Sequence, residues 1–97
     1  SPYTAQILML FSGKDEEKVI MAANDFREVL TSRGFEGLTA LGPVAPFYEF
    51  VGENHHRYLL LKCKKPGPVK EYLSSLAIEL SGKGGIRISF DVDPLDC

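Results

Sequence analysis

Four side chains of this 97-residue sequence are of types that could carry acid, base or metal chemistry: the adjacent pair His55-His56 and the alternating pair Asp91 and Asp93. Imidazole ligates transition metals and exchanges protons near neutral pH, and two carboxylates can divide the roles of general acid and general base. The spacing speaks against both uses. Adjacent residues on a strand point to opposite faces, and no second ligand pair follows the histidines at zinc-site intervals. The histidines therefore read as surface or turn residues. Asp91 and Asp93 share one side of a strand, but Asp93 precedes Pro94, where a short acidic side chain sets a turn. The pair reads as a strand terminus or the holder of an interdomain contact. Cys63 and Cys97 stand far apart with no CxxC pair, which fits neither a disulfide framework nor a structural zinc site and suits a reducing compartment.

Binding chemistry is better represented. Lys62 and Lys64 alternate onto one face, Lys65 and Lys70 follow nearby, and Arg87 takes the outward side of the last strand. With Tyr58 on an open sheet, such cations would track phosphates while the ring stacks on a base. The same lysines would equally serve as a solvated rim that keeps a sheet edge from aggregating. The formal net charge is -2 at pH 7, so the overall basic field of a free-standing nucleic-acid binder is missing. Contact with nucleic acid would have to be local or assisted.

The elements that must position these residues follow from apolar periodicity. Tyr3 to Ser12 is β-branched, aromatic or aliphatic and apolar on both faces at its centre, the mark of an inner strand. Ser12-Gly13-Lys14-Asp15 breaks the run, Ser12 or Asp15 can cap a helix, and Glu16 and Glu17 suit its positive end. Val19, Ala22, Ala23, Phe26, Val29 and Leu30 make one helical stripe, closed by Arg33 and Gly34. From Leu38 to Gly52 the glycine and prolines at Gly42-Pro43 and Pro46 allow only a bent or edge strand. After the turn Gly52-Glu53-Asn54, His55 to Lys64 reads as a buried strand that pairs with it as a hairpin. Pro68 suits a first helical position, Val69, Tyr72, Leu73, Leu76, Ala77 and Leu80 form the second stripe, and Gly82 ends it. Ile86, Ile88, Phe90 and Val92 then alternate with Arg87, Ser89 and Asp91 until Pro94 stops the strand.

The order β-α-β-β-α-β predicts an α+β, ferredoxin-like sandwich: a four-stranded antiparallel sheet with two helices on one face and the other face open. The length allows one core and is too short for a helicase motor or a two-lobed enzyme, so residues 1–97 read as a single domain. Hydrophobic residues at 44% and charged residues at 25% are the balance of an ordinary globular chain. The apolar run Ile7 to Phe11 is far shorter than a membrane span, and no signal peptide is expected. The start at Ser1-Pro2 and the stop at Cys97 suggest a piece of something longer.

Four segments carry a family resemblance: Pro2-Tyr3 with the turn Ser12-Gly13-Lys14-Asp15-Glu16-Glu17, the bend Leu41-Gly42-Pro43-Val44-Ala45-Pro46, the strand Arg57-Tyr58-Leu59-Leu60-Leu61-Lys62, and the terminal Asp91-Val92-Asp93-Pro94-Leu95. Each is ordinary turn or strand chemistry, but the ordered set spans nearly the whole chain and is similar to the C-terminal domain of PriA, the bacterial primosomal helicase of replication restart. The resemblance implies a fold like a small-subunit ribosomal protein at the end of a 3′-to-5′ DNA helicase. ATP and zinc would be handled in other domains of that parent, and no cofactor is expected here. The implied role is non-catalytic docking, with stalled forks and single-stranded DNA, the acidic tail of single-stranded DNA-binding protein and the helicase core as partners. The implied location is cytoplasmic, nucleoid-associated at forks, with no membrane contact.

On that resemblance Lys62, Lys64, Arg87, Arg57 and Tyr58 are the expected DNA-binding residues. One departure stands out: Gly52-Glu53-Asn54-His55-His56 replaces the several arginines that the family has before this strand. Phosphate attraction at this hairpin should be weaker at neutral pH and grow as histidines protonate. Two other readings share the fold. A small-molecule regulatory domain would dimerise through its sheet. An acylphosphatase-like enzyme would need an arginine in an anion loop, where Ser12-Gly13-Lys14 offers a lysine.

Overall fold

A strand that is apolar on both faces must be covered on both sides or sit between neighbours. In the computed structural model, which describes residues 3–46 and 50–94, β1 (Ala5–Gly13) lies between two antiparallel partners. Ser1, Pro2, Leu95 and Cys97, which entered the sequence reading, lie outside those residues. On one side β1 pairs with β4 (Asn54–Cys63), on the other with β5 (Arg87–Pro94). An edge strand β2 (Leu38–Val44) flanks β4, and a two-residue β3 (Phe50–Val51) pairs with the start of β4. The order β2-β4-β1-β5, with helix α1 (Glu16–Arg33) after β1 and α2 (Pro66–Leu80) after β4, is the ferredoxin-like α+β sandwich that the sequence order predicts. The expected hairpin is formed by β3 and β4, while β2 pairs farther along β4.

Local chemistry sets the element ends. The Asp15 carboxylate accepts from the backbone N–H groups of Glu17 at 3.1 Å and Lys18 at 3.4 Å, so it, not Ser12, caps α1. Gly34 closes the helix in the left-handed region at φ 73. Of the expected stripe, Val19, Ala23, Phe26 and Leu30 are buried, but Val29 stays 39% exposed. It borders a groove between the helices, lined also by Asp25, Ser32, Arg33 and Tyr72, that α2 leaves unfilled. α2 begins at Pro66 rather than Pro68, because a helix's first turn has no use for the missing N–H of either proline. A short turn, Lys83–Gly85, precedes β5, and Pro94 is the last residue of that edge strand, opposite Ala5, rather than a stop beyond it.

β2 bends as its glycine and proline require. Its register with β4 shifts between Leu41 and Val44. Gly42 sits there at φ +109, and a Cβ on it would lie 2.7 Å from the Tyr58 carbonyl oxygen, so only glycine fits without displacement.

The core lies between the sheet and the helices. Ile7, Met9 and Phe11 of β1 and Leu59 and Leu61 of β4 are fully buried against Val19, Phe26, Leu30 and Leu73. Phe11 and Phe26 meet edge to face with centroids 5.5 Å apart. Cys63 belongs to this core, and burial pushes its thiol pKa up.

Candidate functional site: the open sheet face

Side chains alternate along a strand, so the burial of Ile7, Met9, Phe11, Leu59 and Leu61 sends the intervening residues to the face away from the helices. The cross-strand register arranges them in rows. Thr39, Lys62, Gln6 and Asp93 form the first, and Leu41, Leu60, Leu8 and Asp91 the second. Val44, Tyr58, Leu10 and Ser89 form the third, and His56, Ser12 and Arg87 the fourth. The centre is thus aliphatic with one tyrosine, the β5 flank carries two carboxylates, and fixed cations stand in the first and last rows.

Of the residues expected from sequence to bind DNA, Lys62, Tyr58 and Arg87 share this face. They are not a compact cluster. Lys62 is level with Gln6 and Arg87 with Ser12, which at about 3.3 Å per residue puts the two cations roughly 20 Å apart along β1. The Lys62 ammonium lies 6.0 Å from the centroid of the Tyr3 ring, whose hydroxyl shares a 3.0 Å hydrogen bond with Thr39 Oγ1. Lys64 has left the strand: its backbone N–H donates to the Gly37 carbonyl at 3.2 Å, and its exposed side chain runs along Gly37. Beside it Lys65 pairs with Glu36 at 3.0 Å, and that hydrogen bond and charge hold the Glu36 carboxyl below its ordinary range.

Arg57 goes to the opposite side. One step from Tyr58 on the strand, it faces α1, where one guanidinium nitrogen donates to Glu16 Oε2 at 3.1 Å and another to the His56 carbonyl at 2.7 Å. Its side chain is only 13% exposed. His55 Nδ1 stands 3.8 Å from the same Glu16 oxygen, while His56 lies on the open face beside Ser12. The lead-in to β4 is therefore tied to the start of α1, and Lys14 and Glu53 approach to 3.9 Å at its tip.

Leu8, Leu41 and Leu60 reach the surface without being marked individually by the sequence. Its one signal was that β1 and β4 are apolar at consecutive positions, which leaves leucine on the side the helices do not cover. Asp91 and Asp93 are exposed within β5, facing the same side as Leu8 and Gln6. Among the described residues no group of three or more histidine, cysteine, aspartate or glutamate side chains could hold a metal ion.

A family model, described as the primosomal protein N C-terminal domain, matches residues 1–95. The chain belongs to that family. Membership ties it to primosomal proteins of DNA replication. Of the segments through which the sequence resembles the family, Leu41 to Val44 lies on β2, Arg57 to Lys62 on β4 and Asp91 to Pro94 on β5, and these strands form the open face with β1. No curated protein is matched by the chain. Among the described residues no helix is long and apolar enough to cross a membrane.

Proposed function

We propose that this chain is a single, non-catalytic docking domain of a larger 3′-to-5′ replication-restart helicase, helping it engage branched or single-stranded DNA at stalled forks in the bacterial cytoplasm. The observation that carries the reading is the family match over residues 1–95, which covers the fold from β1 through β5. The open face supports it physically. Tyr58 lies on the open face of the sheet, Lys62 and Lys64 supply charge at one end, and Arg87 supplies it at the other. DNA would cross these ends rather than settle on a basic patch, in keeping with the net charge of -2. Arg57 serves this surface indirectly by fixing the β4 lead-in to α1. The helicase core and the acidic tail of single-stranded DNA-binding protein are the proposed protein partners, with ATP and zinc handled by other domains of the parent.

The test is binding of fork, duplex and single-stranded DNA over a range of salt, with Lys62, Lys64 and Arg87 replaced by alanine together. If these cations meet phosphates, the logarithmic salt slope of the triple variant falls by roughly 2–3. An absence of salt-sensitive binding in the wild type, or an unchanged slope in the variant, refutes the assignment.

A further inference from the structure

No element of the described residues covers the open sheet face. Leu8, Leu41 and Val44 are 42%, 46% and 56% exposed there. The register sets Leu41, Leu60 and Leu8 in a line across β2, β4 and β1 that runs out on Asp91 of β5. Beside that line lies a hollow of about 430 Å³, bounded by Gln6, Leu8, Leu60, Asp91, Val92 and Asp93. Both carboxylates are exposed, and no described cation forms an ion pair with either. Lys62 shares the row of Asp93 but stands on β4, with β1 between them, and directs its ammonium to the Tyr3 ring on the β2 side. An aliphatic surface with uncompensated negative charge along one flank is thus presented to solvent, and contiguous apolar patches of this kind mark interaction sites.

We infer that this face docks a protein segment in which aliphatic side chains alternate with arginine or lysine. The methylene stem of one cationic side chain lies on Leu8 and Leu60 in the hollow, and its charge meets Asp91 and Asp93. Neighbouring aliphatic groups of the segment cover Leu41 and Val44. Charge complementarity selects this occupant. Two carboxylates beside the hollow repel phosphates, and leucines offer no stacking plane, so nucleic acid is disfavoured at the centre of the face even where the corner cations attract it. The inference goes beyond the DNA reading and does not depend on it, because it uses the acids and leucines while DNA contact uses Lys62, Lys64 and Arg87.

The experiment uses the isotope-labelled chain and two synthetic peptides, one alternating leucine with arginine and one alternating leucine with glutamate. The arginine peptide is expected to shift the amide resonances of Leu8, Leu60, Asp91 and Asp93, and the glutamate peptide is not. Replacing Asp91→Asn and Asp93→Asn together should weaken the arginine peptide roughly fivefold or more, the scale of two exposed ion pairs, while fork DNA binds as well or better. Leu8→Lys, at a position exposed enough to keep the fold, should weaken it comparably, with the melting temperature of each variant measured alongside. The inference is overturned if the glutamate peptide binds equally, if the shifts fall on the helices, or if the asparagine variant binds the peptide unchanged. It is also overturned if that variant loses DNA, which would make this a nucleic-acid face, or if the unliganded chain self-associates through the same amides, which would make the occupant a second copy. Failure of the DNA reading shows separately, in the salt slope of the Lys62, Lys64 and Arg87 variant.

Discussion

Replacing Arg57 by alanine separates a structural arginine from a DNA-contacting one. The guanidinium bridges Glu16 of α1 at 3.1 Å and the His56 carbonyl at 2.7 Å, and its side chain is 13% exposed against 46% for Glu16. A partly exposed ion pair is worth about 0.2–1 kcal/mol. Loss of the hydrogen bond to the carbonyl adds on the order of 1 kcal/mol, and truncation of the stem removes some packing. The expected destabilisation is therefore about 1–2 kcal/mol, a fall in melting temperature of roughly 4–16 °C for a domain of this size. Urea unfolding followed by circular dichroism measures it, and a double-mutant cycle with Glu16→Gln isolates the pair, with an expected coupling of about 0.5 kcal/mol. The salt slope of DNA binding should not change, whereas Lys62→Ala should reduce it by about 0.7–0.9. If Arg57→Ala keeps its full stability and loses nearly a unit of salt slope, the guanidinium meets phosphate and its assignment to the α1 side is wrong.

Two further outcomes follow from the geometry. Gly42→Ala places a Cβ 2.7 Å from the Tyr58 carbonyl oxygen at φ +109 and should cost at least about 1–3 kcal/mol in urea unfolding. The Lys65 hydrogen bond and charge lower the Glu36 pKa from its ordinary 4.5, so this pair stabilises the fold above that value and the contribution disappears as pH falls through the folded-state pKa. Lys65→Met should move the Glu36 titration seen by carboxyl NMR upward and flatten the acid limb of stability. An unmoved titration would show that Lys65 is not the cause.

Much of the fold was legible because local chemistry and tertiary context agree. Gly34 marks the end of α1 in the sequence and caps it in the structure, while at the start the sequence offers Ser12 or Asp15 and the structure uses Asp15. The glycine and prolines of the second strand confine it to an edge, and that is where β2 lies. The two-faced apolar character of β1 announces a central strand, and it pairs on both sides. The start of α2 was less legible, since Pro66 and Pro68 both suit a first turn and nothing local chooses between them. Val29 was misplaced because a periodic stripe shows which residues share a helix face but not how far the facing helix extends over it.

The candidate site divides along the same line. By itself the sequence determined that Arg57 and Tyr58 face opposite ways, that Lys62 shares a face with Tyr58, and that Asp91 and Asp93 lie together, because these follow from the two-residue period of a strand. It did not determine which face meets the helices. Leu59, Leu60 and Leu61 are chemically identical, and a shift of one residue would exchange every inward and outward side chain of β4. Tertiary structure made that choice by burying Leu59 and Leu61 against α1 and leaving Leu60 level with Leu8 and Leu41. From it follow the ion pair of Arg57 with Glu16, the separation of Lys62 from Arg87, and the acid-flanked leucine surface between them.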